Sequence, residues 1–107
     1  MSAAALTSRQ RAIIRDILAP YRHRIDRVAL FGSRATGRAR ANSDIDLVLY
    51  GDLDEAEVDR LRTSFDESAL SVSVDLVAYG PSVYPPLRRH IDETACDLFL
   101  RSDLAPG

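Results

Sequence analysis

The chain contains no lysine; all fourteen of its basic residues are arginines. That excludes lysine-dependent chemistry, including the phosphate-gripping lysine of a Walker-type loop. A single cysteine, Cys96, excludes an internal disulfide, offers no metal-ligand spacing, and reads as a small buried hydrophobe. No apolar run approaches the ~18 residues of a membrane span. The opening MSAAALTSRQR lacks a basic start followed by an apolar stretch, so no secretory signal is read. No membrane association and a cytoplasmic location are therefore expected. The 107 residues suit a single domain over 1–107, with a short flexible tail at about 102–107.

What is present is unevenly spread. The net charge of −2 conceals nine arginines against two acids in residues 1–43, and five arginines against fourteen acids thereafter. Arginine forks match phosphates and carboxylates, but the acidic overall balance argues against direct nucleic-acid binding. His23 and His90 read as surface histidines. Tyr79 and Tyr84, on either side of Gly80-Pro81, read as packing or partner-contact residues.

Periodicity gives a coarse architecture. Thr7 and Gln10 form a capping box ahead of a stripe of Ile13, Ile14, Ile17, Leu18 and Tyr21, and Pro20 closes this first helix. Arg27 to Phe31 reads as a buried strand ending at Gly32, and Ser33 to Gly37 as a turn with a short helical start. Ala41-Asn42-Ser43 is loop-like, and Ile45 to Tyr50 is a second strand. Asp52 and Glu55 offer another capping box, before a helix with Val58, Leu61 and Phe65 on its apolar stripe. Ser71 to Ala78 alternates as a third strand. Pro85 and Pro86 open a last helix carrying Leu87 and Ile91, and Asp97 to Leu100 is a final strand. The expected class is α+β: a small mixed β-sheet with helices packed on one face.

Strand parity concentrates the chemistry. Side chains two apart on a strand share a face, so Asp44 and Asp46 project together, about 7 Å apart. Ile45, Leu47 and Leu49 project the other way. The same parity sets Val72, Val74, Leu76 and Ala78 against the core and leaves Asp75 on the open face. Three carboxylates that close repel one another, and a divalent cation removes the conflict. Oxygen-only ligands favour Mg²⁺, or Mn²⁺, over zinc. Two such ions, about 3.5–4 Å apart, suit an in-line displacement at phosphorus. Gly32 allows close backbone approach, and Ser33 adds a hydroxyl and an amide, so the turn can hold a triphosphate. Arg34, Arg38 and Arg40 lie near it in sequence and could neutralise phosphate charge. Gly-Ser, ten residues, then Asp-x-Asp should arise by chance in only on the order of 10⁻³ of chains this size.

Gly32-Ser33, the ten-residue spacer, Asp44-Ile45-Asp46 and Asp75 on a later strand resemble the DNA polymerase β-type nucleotidyltransferase superfamily. More closely, FGSRATG, SDIDLVLYGD and VDLV are similar to the minimal nucleotidyltransferases, which are usually paired with a HEPN-domain protein; the likeness spans roughly residues 6–100. It implies a polymerase β-like fold, with Asp44, Asp46 and Asp75 as metal-binding catalytic carboxylates. It further implies that Gly32 and Ser33 contact the nucleotide. The pattern departs from the family at Thr36, where many relatives carry arginine. The implied activity is transfer of AMP from ATP to a hydroxyl, with release of pyrophosphate. Relatives that modify antibiotics carry an additional helical domain for the acceptor, for which 107 residues leave no room. The implied acceptor is therefore a tyrosine on a HEPN ribonuclease toxin, which makes the chain an antitoxin. Two alternatives stay open: an antitoxin that neutralises its partner by binding alone, and nucleotidyl transfer to a small molecule such as an aminoglycoside.

Overall fold

The computed structural model describes residues 6–40 and 42–105. Helix α1 (Ser8–Leu18) begins at the expected capping box: Gln10 donates its amide to Thr7 Oγ1 (3.0 Å), and Thr7 donates its own to Gln10 Oε1 (2.9 Å). Pro20 does not end the helical path at once, because its ring is tolerated in a first turn, and a 3-10 segment follows over Ala19–Arg24. Strand β1 (Ile25–Leu30) then leads through the one-turn helix α2 (Ser33–Thr36) to β2 (Ile45–Gly51). Of the expected loop at residues 41–43, Ala41 lies outside the described residues.

Helix α3 (Glu55–Asp66) starts two residues later than the sequence suggests. Asp54 is the cap and Glu57 its reciprocal partner, at 2.8 and 3.0 Å. Asp52 and Glu55 meet the same spacing rule, but the Asp52 amide is committed to Arg24 O (2.8 Å), continuing the sheet. Strand β3 (Val74–Ala78) is shorter than expected because its partner begins opposite Val74, at Ile45. Helix α4 (Pro85–Thr94) and strand β4 (Cys96–Leu100) complete the order.

The four strands lie in the order β3-β2-β1-β4. β1 is antiparallel to both β2 and β4, whereas β2 and β3 run parallel. Parallel neighbours need a long return path, and α3 provides it. The mixed sheet of an α+β fold is thus as the sequence implies. Ile45, Leu47 and Leu49 of β2 join Val28, Leu30 and Leu76 in the main core, beneath Ile14 and Leu18 of α1 and Val58, Leu61 and Phe65 of α3.

One expectation needs correction: the helices do not all pack on one face. Ala29, Phe31 and Val48 are apolar on the opposite side, and α4 covers them with Ile91, flanked by Leu87, Tyr50, Val77 and Tyr79. Parity drew attention to the aspartates on that side but not to these three, whose burial demands a cover. The tail expectation also fails at 102–104. Arg101–Leu104 is a 3-10 segment with Leu104 only 1% exposed, and Arg101 donates to Ile25 O (3.0 Å) and pairs with Asp26 (2.7 Å). Pro106 and Gly107 lie outside the described residues. Cys96, expected to be buried, is exposed at the start of β4, an edge strand. No helix among the described residues is long and apolar enough to cross a membrane.

Candidate active site

The site forms where β1 runs out beside the start of β2. Phe31, one residue beyond β1, still donates its amide to Asp46 O (3.1 Å), so the following turn opens directly against that aspartate. Gly32 has φ 70° and ψ −145°, a conformation in which side-chain-bearing residues are strained. A Cβ there would also lie 2.6 Å from Asp46 Oδ2. The missing side chain therefore serves twice, permitting the turn and letting a carboxylate rest against it. Ala35 and Thr36 both donate to Gly32 O (3.1 Å each), and Gly37, at φ 78°, ends this single turn of helix.

Helix α4 reaches the same turn from the other side. Gly32 donates its amide to Thr94 Oγ1 (3.1 Å), and the Thr94 hydroxyl donates in turn to His90 O (2.8 Å). The His90 ring meets Phe31 edge-on, with centroids 6.1 Å apart and planes at 83°. Its Nε2 lies 3.7 Å from the point a Gly32 Cβ would occupy. Gly32, Ser33, Thr36, Arg38, Asp46, His90 and Thr94 together line a cleft of about 560 Å³. A separate depression of about 430 Å³, reaching from Leu53 to Tyr84 and Leu87, touches none of the three aspartates.

Two of the three aspartates stand side by side on the sheet. Asp46 and Asp75 are direct partners across the parallel β2–β3 pair, on strands about 4.8 Å apart. Asp44 is exposed, one residue before β2. The Asp46 carboxyl is pushed above its ordinary 3.8, first by burial and then by the negative charges of Asp75 and Asp44; His90 and Arg34 pull it partly back. Among the described residues, no ion pair or side-chain hydrogen bond engages any of the three. Nor do any three His, Cys, Asp or Glu side chains there form a ready metal cage. The donor chemistry nevertheless fits a hard divalent cation: three oxygen donors on adjoining backbone, mutually repelling and not neutralised by a pairing cation. The fit is one of charge and ligand type.

The arginines divide unexpectedly. Arg34, expected at the phosphates, is only 4% exposed and donates to Ser43 O (2.6 Å) and Asp44 O (3.4 Å). Its guanidinium holds the loop that carries Asp44. Arg38 lines the cleft, while Arg40 is exposed and donates its amide to Ser43 Oγ (2.8 Å). His23 is exposed on the Ala19–Arg24 segment. Tyr79 packs on Tyr50 and donates to Asp92 (2.7 Å), and Tyr84 is 70% exposed. Sequence reasoning missed His90 and Thr94 as site residues. They share a helix face at i, i+4, but only the placement of α4 on the aspartate side of the sheet gives that spacing meaning.

Comparison with known proteins bears on the fold. The sequence pattern of the family Polymerase beta, Nucleotidyltransferase matches residues 13–103. No curated protein matches significantly. Among solved structures, a toxin–antitoxin with AMP-PNP superposes with a TM-score of 0.67 at 27% identity, covering 83% of this chain and 72% of the other. A mutant of the toxin–antitoxin MntA-HpeT gives 0.66 at 25% identity, with the same coverage. A structure from Sulfolobus solfataricus described as a nucleotidyltransferase shares the fold, with a TM-score of 0.55 at 21% identity over 95% of this chain and 90% of that one. With the family pattern running through nearly every element of the fold, the chain belongs to the polymerase β nucleotidyltransferase family.

Proposed function

We propose that this nucleotidyltransferase moves AMP from ATP to a hydroxyl, a tyrosine of a partner HEPN ribonuclease toxin, and thereby acts as the antitoxin. The observation that carries the reading is the pairing of Asp46 with Asp75 directly beside the Gly32-Ser33 turn. It supports a site in which the acidic pair stands next to a turn whose Ser33 hydroxyl and amide would receive the phosphates. Similarity to a toxin–antitoxin with AMP-PNP supports both the nucleotide and the class of partner.

In this reading Ser33 and the turn hold the triphosphate, and Arg38 offsets part of its charge. Asp44, Asp46 and Asp75 would hold Mg²⁺, which supplies positive charge against the phosphates when bound. The acceptor oxygen forms a bond to the α-phosphorus while the bond to the bridging oxygen of the β-phosphate breaks. The electron pair leaves with pyrophosphate, and the hydroxyl proton passes to the Asp75 carboxylate or to solvent.

The test is incubation with labelled ATP, MgCl₂ and the protein encoded by the adjacent gene. Label is expected on a tyrosine of that protein, and Asp46→Asn should abolish transfer. The same substitution removes a partly buried, repelled charge, so its unfolding temperature should rise, which separates lost chemistry from lost folding. Full neutralisation of the partner by an Asp44→Ala/Asp46→Ala chain would replace catalysis with occlusion. Label moving only to an aminoglycoside would refute the protein acceptor.

A further inference from the structure

We infer that His90 is a further nucleotide-contacting residue, donating from Nε2 to the β- and γ-phosphates and so gripping the leaving pyrophosphate. This rests on the nucleotidyltransferase reading above and assigns α4 a direct part in it.

Three observations converge on the assignment. First, the ring is placed and aimed: Nε2 lies 3.7 Å from the Cβ position of Gly32, and Phe31 braces the ring edge-on. The backbone of His90 is itself tied to the turn, through Thr94, by the two hydrogen bonds at 3.1 and 2.8 Å. Side chain and turn are thus held in one geometry before any ligand arrives.

Second, the lining of the cleft selects its occupant. Besides Gly32 and His90 it presents the hydroxyl residues Ser33, Thr36 and Thr94, the Arg38 guanidinium and the Asp46 carboxylate. No aromatic or aliphatic side chain is among them. For a nucleobase the cleft offers only the His90 ring and the Arg38 plane, whereas a polyphosphate, which needs donors and positive charge, meets them on most of its lining. Asp46 is the one acid in the lining, and it is also one of the three carboxylates proposed to hold the cation.

Third, sheet order fixes the side. Asp75 on β3 and the Gly32 turn after β1 flank Asp46 on β2 from opposite directions. In an in-line displacement the attacking and leaving oxygens lie on opposite sides of phosphorus. With the acceptor hydroxyl entering near Asp75, pyrophosphate departs toward the turn, where His90 and Arg38 stand. The bond to the bridging oxygen breaks there, and the hydrogen bond from His90 stabilises the charge that the pyrophosphate gains.

The experiment is calorimetric titration of the full chain with ATP and with AMP, both with MgCl₂, for wild type, His90→Ala and His90→Gln. His90→Ala should weaken ATP binding about tenfold, the worth of one hydrogen bond to a charged group, and leave AMP binding unchanged. His90→Gln, which retains a side-chain N–H donor, should restore most of the loss. Unchanged ATP affinity in His90→Ala overturns the assignment. Equal losses for ATP and AMP also overturn it, since they indicate a support for the turn rather than a phosphate contact. A wild-type chain that binds neither nucleotide refutes the enzyme reading and this inference together, whereas the first two outcomes remove His90 alone.

Discussion

Replacing Gly32 with alanine perturbs the site at its narrowest point, and its cost can be built from two parts. At φ 70° and ψ −145° a Cβ brings backbone strain of about 1–3 kcal/mol. The same atom would sit 2.6 Å from Asp46 Oδ2, so the partly buried carboxylate must also move, adding about 1 kcal/mol. A total of about 2–4 kcal/mol corresponds to a fall in unfolding temperature of roughly 10–20 °C for a chain of this size. Gly37→Ala is the matched control: φ is 78°, yet nothing lies within 4 Å of the added atom. Its cost is backbone strain alone, about 1–2 kcal/mol. Thermal unfolding followed by circular dichroism should therefore show a drop roughly twice as large for Gly32→Ala. In the labelled-ATP assay, Gly37→Ala should retain transfer and Gly32→Ala lose it. Equal temperature drops in the two variants would refute the claim that turn and carboxylate share one space.

Leu104 is 1% exposed in the main core, so Leu104→Ala should lower stability by about 2–5 kcal/mol in urea unfolding. An unchanged midpoint would return the C-terminal segment to the status of a tail. Tyr50 is raised above its ordinary 10.0 chiefly by burial, against the pull of Arg27, and Tyr79 is raised by its hydrogen bond to Asp92. Both phenols hold their protons more tightly folded than unfolded, so wild-type stability should fall as pH climbs past 10. Tyr50→Phe/Tyr79→Phe should fall less steeply there, as read from unfolding temperature against pH, and parallel curves would contradict the assignment.

The face that Asp46 and Asp75 take was legible because strand periodicity is a local property: Ile45, Leu47 and Leu49 must face the core, so Asp46 cannot. The turn was legible because a glycine that closes a short apolar run marks the end of a strand. Two things were not. Which D-x-x-E quartet caps α3 was decided by the Asp52 amide bonding to Arg24, a contact between residues twenty-eight apart. The role proposed for His90 depends on which face of the sheet α4 covers, a question that Ala29, Phe31 and Val48 settle only when read together. Arg34 illustrates the same limit from the opposite direction. Its nearness to Ser33 in sequence suggested phosphate, while the fold turned it to the carbonyls of Ser43 and Asp44.

That buried guanidinium has a mechanical consequence. The glycine turn and the loop bearing the first carboxylate lie ten residues apart in the chain, and Arg34 latches one to the other. A displacement of the turn would therefore be felt at the loop that carries Asp44. The same cation also tempers the negative charge on Asp46. A lysine could bring the charge but not the rigid fork that reaches two carbonyls. Arg34 thus contributes to the shape of the site and to its charge, and neither contribution can be altered there without altering the other.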